Sequence, residues 1–260
     1  CHAHPSPLSL VPAIATSCNG YFCWGLYHMI GARQKYGTVQ KAMNTWRDYM
    51  VSMGFGYTLG IDLPGEKRGM IPNAQFYDKA YRGSWNGLTV ISIAIGQGEV
   101  TATPLQIANL GATIANRGYF VTPHVVKGIE GEQLDSLYRE RRYTKVSEMH
   151  YEEVVQGMRS AVLGGTCRMA NLPDIEVCGK TGTAQNHGKD HSAFMGFAPM
   201  DNPKIAIAVY VENGGWGATY GVPIGRLMIE QYLTGKLTEA DEALASDIQH
   251  RRIDYGIQER

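Results

Sequence analysis

Two short groups of residues in this sequence carry side chains suited to acyl transfer through a serine. Ser17-Cys18-Asn19 places a hydroxyl and an amide close together, and Lys180-Thr181-Gly182-Thr183 places an ammonium group beside two hydroxyls. Acyl transfer needs a nucleophile with a base, a proton relay, donors for the oxyanion and a group that holds the substrate. The two groups could supply the relay, the oxyanion donors and the substrate-binding groups.

The second group has the properties of a substrate-binding strand. Lys180 offers a positive charge for a substrate carboxylate. Thr181 and Thr183 would face the same cleft, because side chains along a strand alternate with a period of two. Gly182 leaves room for a substrate backbone close to the strand. The backbone N–H of Thr183 is a candidate oxyanion donor, of a kind that stabilises a transition state by about 3–4 kcal/mol.

One component of this chemistry has no counterpart in the sequence. Serine acyltransferases that react with penicillin are recognised by three motifs, S-x-x-K, S-x-N and K-T-G. Ser17 and Asn19 fit the second motif, as a relay hydroxyl and an orienting amide in a tight turn, and Lys180 begins the third. No serine has a lysine three residues later, and Ser136-Leu137-Tyr138-Arg139 comes nearest. Alone, S-x-N is commonly a helix cap and K-T-G more often a turn, so the surrounding sequence has to decide.

Composition excludes several other classes of protein. The 260 residues are 44% hydrophobic and carry 24 basic and 24 acidic side chains, so no net charge favours nucleic acid or an anionic membrane surface. There is no run of about 18 apolar residues that could span a bilayer. The chain starts without Met, a basic segment or an apolar segment, so no signal peptide is visible and we expect a fragment.

Apolar spacing predicts an α+β layout in which helices precede strands. We expect a helical lobe over about 13–170, strands with a closing helix over about 174–234, and a charged tail over 238–260 that is peripheral or partly disordered. Within the lobes we expect helices over 21–33 (mostly buried) and 38–53, a helix that opens at Pro104 and stops at Gly118, and an amphipathic helix through Val154 and Val162 that stops at Gly164-Gly165. Antiparallel strands are expected over 176–184, 193–199 and 204–212, followed by a helix over 223–233.

One helix start is marked with particular clarity. Thr103-Pro104-Leu105-Gln106 has Thr at the N-cap, Pro at the first helical position and Gln at the third, which is a capping-box arrangement. Gly118 is predicted to supply the left-handed residue that ends this helix.

Several longer motifs resemble the class B penicillin-binding proteins, and the resemblance runs from about residue 13 to 234. Within that class, residues 85–98 and 17–22 look most like the elongation-type members, penicillin-binding protein 2. The motifs are Gly60-Ile61-Asp62-Leu63-Pro64-Gly65-Glu66, Gly96-Gln97-Gly98-Glu99, Thr103-Pro104-Leu105-Gln106, Ala115-Asn116-Arg117-Gly118 and Gly179-Lys180-Thr181-Gly182-Thr183-Ala184-Gln185.

The resemblance implies a peptidoglycan D,D-transpeptidase that cross-links stem peptides, is acylated by β-lactams and uses no cofactor. Ser17 would relay protons and Asn19 would orient the acyl donor. Lys180, Thr181 and Thr183 would bind the terminal carboxylate and shape the oxyanion hole. Residues 1–237 would form the C-terminal portion of a transpeptidase fold related to serine β-lactamases, inactive alone because it lacks the S-x-x-K nucleophile.

The same resemblance implies partners and a location. The expected partners are peptidoglycan stem peptides, β-lactams and membrane proteins of the elongation machinery, with no nucleic acid. The parent protein would be anchored in the cytoplasmic membrane, with this domain in the periplasm. Without the helix that starts at S-x-x-K, we expect exposed apolar surface, so the chain alone would be marginally stable, aggregation-prone or self-associating.

Two other groups of residues leave alternatives open. Cys1-His2-Ala3-His4, with Cys18 and Cys23, could bind zinc, but the spacing fits no standard zinc finger, so a loop with buried thiols is favoured and no metal is predicted. A Cys167–Cys178 disulfide is also conceivable, and buried thiols are again the simpler interpretation.

Three polar residues follow the K-T-G strand. His187 and His191 flank Asp190 and could suggest a catalytic base, but the polar tip of a β-hairpin is favoured. Trp216 and Tyr220 are equally compatible with the lower edge of a cleft and with loop packing.

Two further functions compete with the transpeptidase. One is a class D-like β-lactamase or β-lactam sensor, which shares K-T-G. The other is a non-catalytic scaffold that binds cell-wall peptide or elongation partners. The segments at 60–66 and 103–106 favour the penicillin-binding protein.

Overall fold

The computed structural model describes residues 4–253 and 255. Among these residues, no helix has the length and hydropathy needed to cross a membrane. The helices are α1 Leu10–Ala15, α2 Asn19–Gly31, α3 Arg33–Tyr36, α4 Val39–Ser52, α5 Ala74–Tyr81, α6 Pro104–Ala115, α7 Tyr151–Leu163, α8 Gly221–Thr234 and α9 Glu239–His250. The strands are β1 Tyr119–Phe120, β2 Arg142–Tyr143, β3 Cys178–Ala184, β4 His191–Ala198 and β5 Ile205–Val211.

The chain divides into two compact units. Among the described residues, 18–149 form the first unit, and 4–17 with 150–253 form the second. This division differs from the predicted boundary near 170–174, because α7 packs against α1 and β3 and so belongs with the sheet. Each unit has its own cluster of buried apolar side chains.

In the first unit, α2, α4 and α5 surround a core that includes Tyr77 and Trp85. The Trp85 indole N–H donates to Asp78 at 2.7 Å, so the polar edge of a buried ring is satisfied. The prediction that α2 is mostly buried is wrong. Only Leu26 and Ile30 are buried, because the apolar residues go round the helix and one side of it faces solvent, where Trp24 is 63% exposed.

The predicted start of α6 is confirmed. The Gln106 N–H donates to Thr103 Oγ1 at 3.2 Å, and Gln106 Oε1 accepts from the Thr103 N–H at 3.0 Å. The side chain of Gln106 is almost fully buried, and its Nε2 faces three backbone carbonyls at 3.0–3.2 Å. These carbonyls belong to Gly54, Tyr57 and Arg68, so the capping residue also holds the preceding loop.

The predicted end of α6 is wrong by one residue. Arg117 has the left-handed conformation, with φ 57°, whereas Gly118 has φ 121°. The Gly118 N–H then donates to the Thr113 carbonyl at 2.9 Å. Glycine is therefore needed one position beyond the left-handed residue, where the backbone also lies in a region that L side chains rarely adopt.

The Gly-Ile-Asp-Leu-Pro-Gly-Glu segment is a loop fixed by its two carboxylates. The Glu66 carboxylate accepts from the three consecutive N–H groups of residues 59–61, at 2.6–3.2 Å. The Asp62 carboxylate accepts from the N–H groups of Val126 and Val125, and these hydrogen bonds lower the pKa of Asp62. The two carboxylates of the motif thus hold backbone groups, Glu66 within the loop and Asp62 in a segment distant in sequence.

The second unit contains the three predicted antiparallel strands, in the order β3-β4-β5. The α+β prediction is confirmed, and β3 lies at an edge of this sheet. Helix α8 packs on one face, where the buried ring of Phe194 fits among Gly179, Gly196 and Gly225. A methyl group at Gly179 or Gly196 would lie 2.6 or 2.7 Å from that ring, so the three glycines set how closely helix and sheet approach.

The tail is predicted to be peripheral or partly disordered. Residues 239–250 are ordered as α9, in which only Asp241 is buried, so the helix is peripheral but not disordered. The Arg226 Nε donates to both carboxylate oxygens of the buried Asp241, at 2.7 and 2.8 Å. This ion pair attaches α9 to α8, although the apolar periodicity of the tail is weak. Residues 254 and 256–260 of the predicted tail lie outside the described residues.

Candidate active site

The second unit brings the serine of S-x-N and the lysine of K-T-G into direct contact. Lys180 Nζ donates to Ser17 Oγ at 2.7 Å, although 163 positions separate the two residues along the chain. The same ammonium group donates to the Thr181 carbonyl at 3.0 Å. A hydroxyl and a cation from two separate motifs therefore lie side by side.

Helix α1 and the turn after it position Ser17. The helix is anchored by buried Ile14 and Ala15, and Ile14 lies so close to Gly157 of α7 that a methyl group there would be 2.8 Å from it. Ser17 follows with a φ of 54°, in the left-handed region, and its N–H donates to the Ile14 carbonyl. Non-glycine residues rarely adopt this conformation, and such residues cluster at functional sites.

The environment of Lys180 acts on its charge in two directions. Burial lowers the pKa of the ammonium group, and the neighbouring Cys167 acts in the opposite direction. Burial raises the pKa of the Cys167 thiol to about 11, against the effect of Lys180. At neutral pH the thiol is therefore uncharged and does not compensate the charge of a protonated Lys180, which can attract an anion.

The two threonines of K-T-G have different partners. Thr181 Oγ1 donates to Thr166 Oγ1 at 2.9 Å, whereas Thr183 Oγ1 accepts from the Gly217 N–H at 3.2 Å. A methyl group on Gly217 would lie 3.1 Å from Thr181 Cβ, so both threonines lie near this glycine. That both hydroxyls face one substrate cleft stays a prediction. Gly182 lies between them, opposite Ala193 of β4.

The predicted oxyanion donor lies on a strand that can offer it. Because β3 is an edge strand of its sheet, no strand of the described residues pairs with its outer side. An extended substrate could pair with this edge. The assignment of the Thr183 N–H as the donor stays a prediction.

Asn19, the other S-x-N residue, is the first residue of α2 in the first unit, where it is exposed. The N-cap residue before it is Cys18, which is buried. The predicted role of Asn19 in orienting a substrate stays a prediction.

Sequence reasoning missed four residues around the K-T-G strand. The Thr166 hydroxyl contacts that of Thr181, and the Cys167 thiol lies near Lys180. Ser192 holds the loop that carries Gly217. Ser192 Oγ donates to the Trp216 carbonyl at 2.8 Å and accepts from a helix N–H of α8 at 3.0 Å. The Gly164-Gly165 pair before Thr166 had indicated only the end of a helix, and nothing local indicated a contact with β3.

The residues after the K-T-G strand form a hairpin turn, as favoured. His191 begins β4, and its Nδ1 accepts from the Asn213 N–H at 3.0 Å. The Asp190 carboxylate accepts from a turn N–H, and His187 lies exposed in the turn. Trp216 is 65% exposed, so it is available either to a ligand or to solvent.

No disulfide joins the four described cysteines, so the interpretation as thiols holds for Cys167 and Cys178, which are both buried. Within residues 4–253 and 255, no group of three His, Cys, Asp or Glu side chains is arranged to hold a metal ion. Cys1 and His2 lie outside the described residues, so the zinc hypothesis that includes them is untested.

Together, the sheet with its packed helices and the contact between Ser17 and Lys180 join the two motifs of the penicillin-reactive class in one unit. Residues 2–230 match the model of the penicillin binding protein transpeptidase domain, and the chain belongs to that family.

Known relatives indicate the branch of the family. The chain is 37% identical over 227 residues to the peptidoglycan D,D-transpeptidase MrdA of Acinetobacter baumannii, an alignment that covers 80% of this chain and 32% of the relative. The chain therefore spans about a third of the length of this relative.

Two solved structures are similar to it in fold. One is penicillin-binding protein 2 (PBP2) of Pseudomonas aeruginosa in complex with WCK 5153, with 31% identity and a TM-score of 0.75 over 90% of this chain and 50% of that one. The other is PBP2 of Helicobacter pylori in complex with MreC, with 28% identity and a TM-score of 0.70 over 88% and 41%. These similarities agree with the predicted resemblance to elongation-type members.

Proposed function

We propose that this chain supplies the carboxylate-binding and proton-relay part of a PBP2-type D,D-transpeptidase that cross-links peptidoglycan stem peptides. The observation that carries this proposal is the 2.7 Å hydrogen bond from Lys180 to Ser17. It joins the second and third family motifs, and family membership gives that contact its chemical meaning.

In the proposed reaction, a serine outside this sequence gives its hydroxyl proton to its activating lysine and attacks the carbonyl carbon of the terminal D,D-peptide bond. Lys180 and Thr181 hold the terminal carboxylate, and the Thr183 N–H helps to stabilise the oxyanion. Ser17 passes a proton to the leaving amine as the C–N bond breaks, which leaves an acyl-enzyme. The amine of a second stem peptide then attacks the ester, gives up a proton and releases the serine. Asn19 would orient the acyl donor.

The nucleophile in this scheme is not among the 260 residues, because the sequence contains no S-x-x-K. We therefore propose that the chain alone is inactive, and that the serine and its activating lysine come from residues outside this sequence.

The proposal extends to partners and location. β-Lactams would acylate the same serine, since they imitate the terminal peptide. By analogy with the H. pylori protein, which forms a complex with MreC, membrane proteins of the elongation machinery are the proposed partners. The protein would be anchored in the cytoplasmic membrane, with this domain on the periplasmic side.

Labelling with a fluorescent penicillin tests the proposal. The 260-residue chain is expected to form no covalent adduct, whereas the protein extended upstream of Cys1 is expected to form one. In the extended protein, Ser17→Ala and Lys180→Ala should slow labelling by tenfold or more, since an electrostatic or relay group contributes about 10²–10³-fold in such sites.

Lys236→Ala, at an exposed lysine remote from the motifs, is the matched control and should label like the unaltered protein. Labelling of any serine in the 260-residue chain would contradict the assignment of the nucleophile. Rapid turnover of a chromogenic β-lactam by the extended protein would indicate a β-lactamase, and no adduct at all would indicate a non-catalytic scaffold.

A further inference from the structure

The segment Gly165-Thr166-Cys167 contacts both motifs of the candidate site. The Thr166 N–H donates to the carbonyl of Ala15, two residues before Ser17, at 3.1 Å. The Thr166 hydroxyl lies 2.9 Å from the hydroxyl of Thr181. One residue therefore ties the end of α1, which lies just before the S-x-N serine, to the K-T-G strand.

The backbone holds this segment in one position. A methyl group on Gly165 would overlap the Ala15 carbonyl and lie 2.8 Å from Ala161 Cα, so only glycine allows the approach. The Cys167 N–H donates to the Ala161 carbonyl at 2.9 Å, and the Cys167 side chain is fully buried. These contacts therefore fix the position of Thr166 beside Thr181.

The contact has a chemical consequence for a carboxylate ligand. A carboxylate only accepts hydrogen bonds, so Thr181 can hold one only by donating its single hydroxyl hydrogen. The Thr181 oxygen can then accept a hydrogen bond from the Thr166 hydroxyl, because a threonine hydroxyl can donate as well as accept. Reversal of the Thr166–Thr181 hydrogen bond would release the Thr181 hydrogen toward the ligand without leaving either hydroxyl unpaired.

We propose that Thr166 is a positioning residue for the transpeptidase, which directs the Thr181 hydroxyl hydrogen to the substrate carboxylate. This inference rests on the proposed function. It assigns no contact between Thr166 and the substrate, because Thr166 acts through Thr181.

A comparison of two β-lactams tests the inference in the protein extended upstream of Cys1. The rate of acylation is measured for a penicillin with a free carboxylate and for its methyl ester. Thr166→Val should reduce the preference for the free acid by about two- to tenfold, which is the range that the net contribution of such a hydrogen bond gives. Thr166→Ser, which keeps the hydroxyl, should restore most of the preference. A general loss of folded protein would slow both compounds equally and leave the ratio unchanged.

A double-mutant cycle locates the effect. If Thr166 acts through Thr181, adding Thr166→Val to Thr181→Val should change the acid-to-ester ratio no further. Thr234→Val, the same replacement at the end of α8, should leave the ratio unaltered. If Thr166→Val fails to fold, Thr166→Ala is measured in its place.

An unchanged ratio in a folded Thr166 variant, or independent effects of the two replacements, would overturn the inference. If the unaltered extended protein shows no labelling, or no preference for the acid, the proposed function itself fails and this inference fails with it.

Discussion

At the scale of single residues, the site is built around a lysine whose surroundings favour loss of its charge. Lys180 is removed from water, and the Cys167 thiol beside it is neutral at ordinary pH, so burial dominates and lowers the pKa of the lysine below its ordinary value of 10.5. Its hydrogen bonds to Ser17 and to a backbone carbonyl orient the ammonium group but bring no negative charge. An anionic substrate would supply the missing counter-charge.

This arrangement predicts an alkaline limit to acylation. As pH rises through a pKa below 10.5, Lys180 loses its proton, so acylation of the extended protein by a free-acid penicillin should weaken. The methyl ester, which has no carboxylate, should lose less. Lys180→Arg should move the limit to higher pH, because a guanidinium stays protonated. Stopped-flow or gel labelling across pH 7–11 measures the rate of acylation. If the rate of Lys180→Arg falls at the same pH as that of the unaltered protein, another group causes the alkaline limit.

At the scale of elements, Gln106 connects helix α6 to the loop before it. Its carbonyl oxygen caps the helix and its amide nitrogen faces three carbonyls, so one buried side chain ties the start of α6 to the loop over residues 54–68. Loss of one partner leaves buried polar groups unpaired, which costs more than the hydrogen bond itself contributes.

Gln106→Leu should therefore destabilise the first unit by about 2–4 kcal/mol, although it conserves size. Urea unfolding monitored by tryptophan fluorescence provides the measurement. Gln75→Leu, the same change at an exposed position of α5, should alter the free energy of unfolding by no more than about 0.5 kcal/mol. Equal effects of the two replacements would show that the network around Gln106 contributes little.

The elements also show what sequence could and could not predict. The start of α6 and the three strands follow from local signals, a capping box and alternating side chains. The burial of α2, the helix α9 and the Thr166–Thr181 contact depend on partners distant in sequence, so no local pattern marks them. Asp241 illustrates the limit, because it is one acidic residue among several in the tail and becomes structural only through Arg226.

At the scale of the whole molecule, the chain has no formal net charge at pH 7, so near neutral pH its stability depends on individual groups rather than on overall repulsion. Glu230 on α8 is one such group. It is buried beside Asp241, and one of its carboxylate oxygens has no hydrogen-bond partner among the described residues. Burial, followed by the interaction with Asp241, raises the pKa of Glu230 above its ordinary value of 4.5.

A raised acid pKa means that the folded state holds the proton more tightly than the unfolded state. The stabilising contribution is present below about pH 4.5 and is lost as pH rises through the folded pKa. Glu230→Gln should remove this loss and raise stability at neutral pH, as measured by urea unfolding between pH 4 and 8. Glu242→Gln, at an exposed position of α9, should leave the pH dependence of the free energy of unfolding unchanged. If Glu230→Gln also leaves it unchanged, Glu230 is not its origin.

The ring of Phe194, enclosed by Gly179, Gly196 and Gly225, has a consequence for how this protein can vary. None of the four positions can change alone: a larger residue at any glycine collides with the ring, and a smaller residue at 194 leaves a void between helix and sheet. Viable sequences should therefore exchange volume among these positions together, and a library randomised at all four should recover pairs such as Phe194→Leu with Gly225→Ala that fail as single replacements.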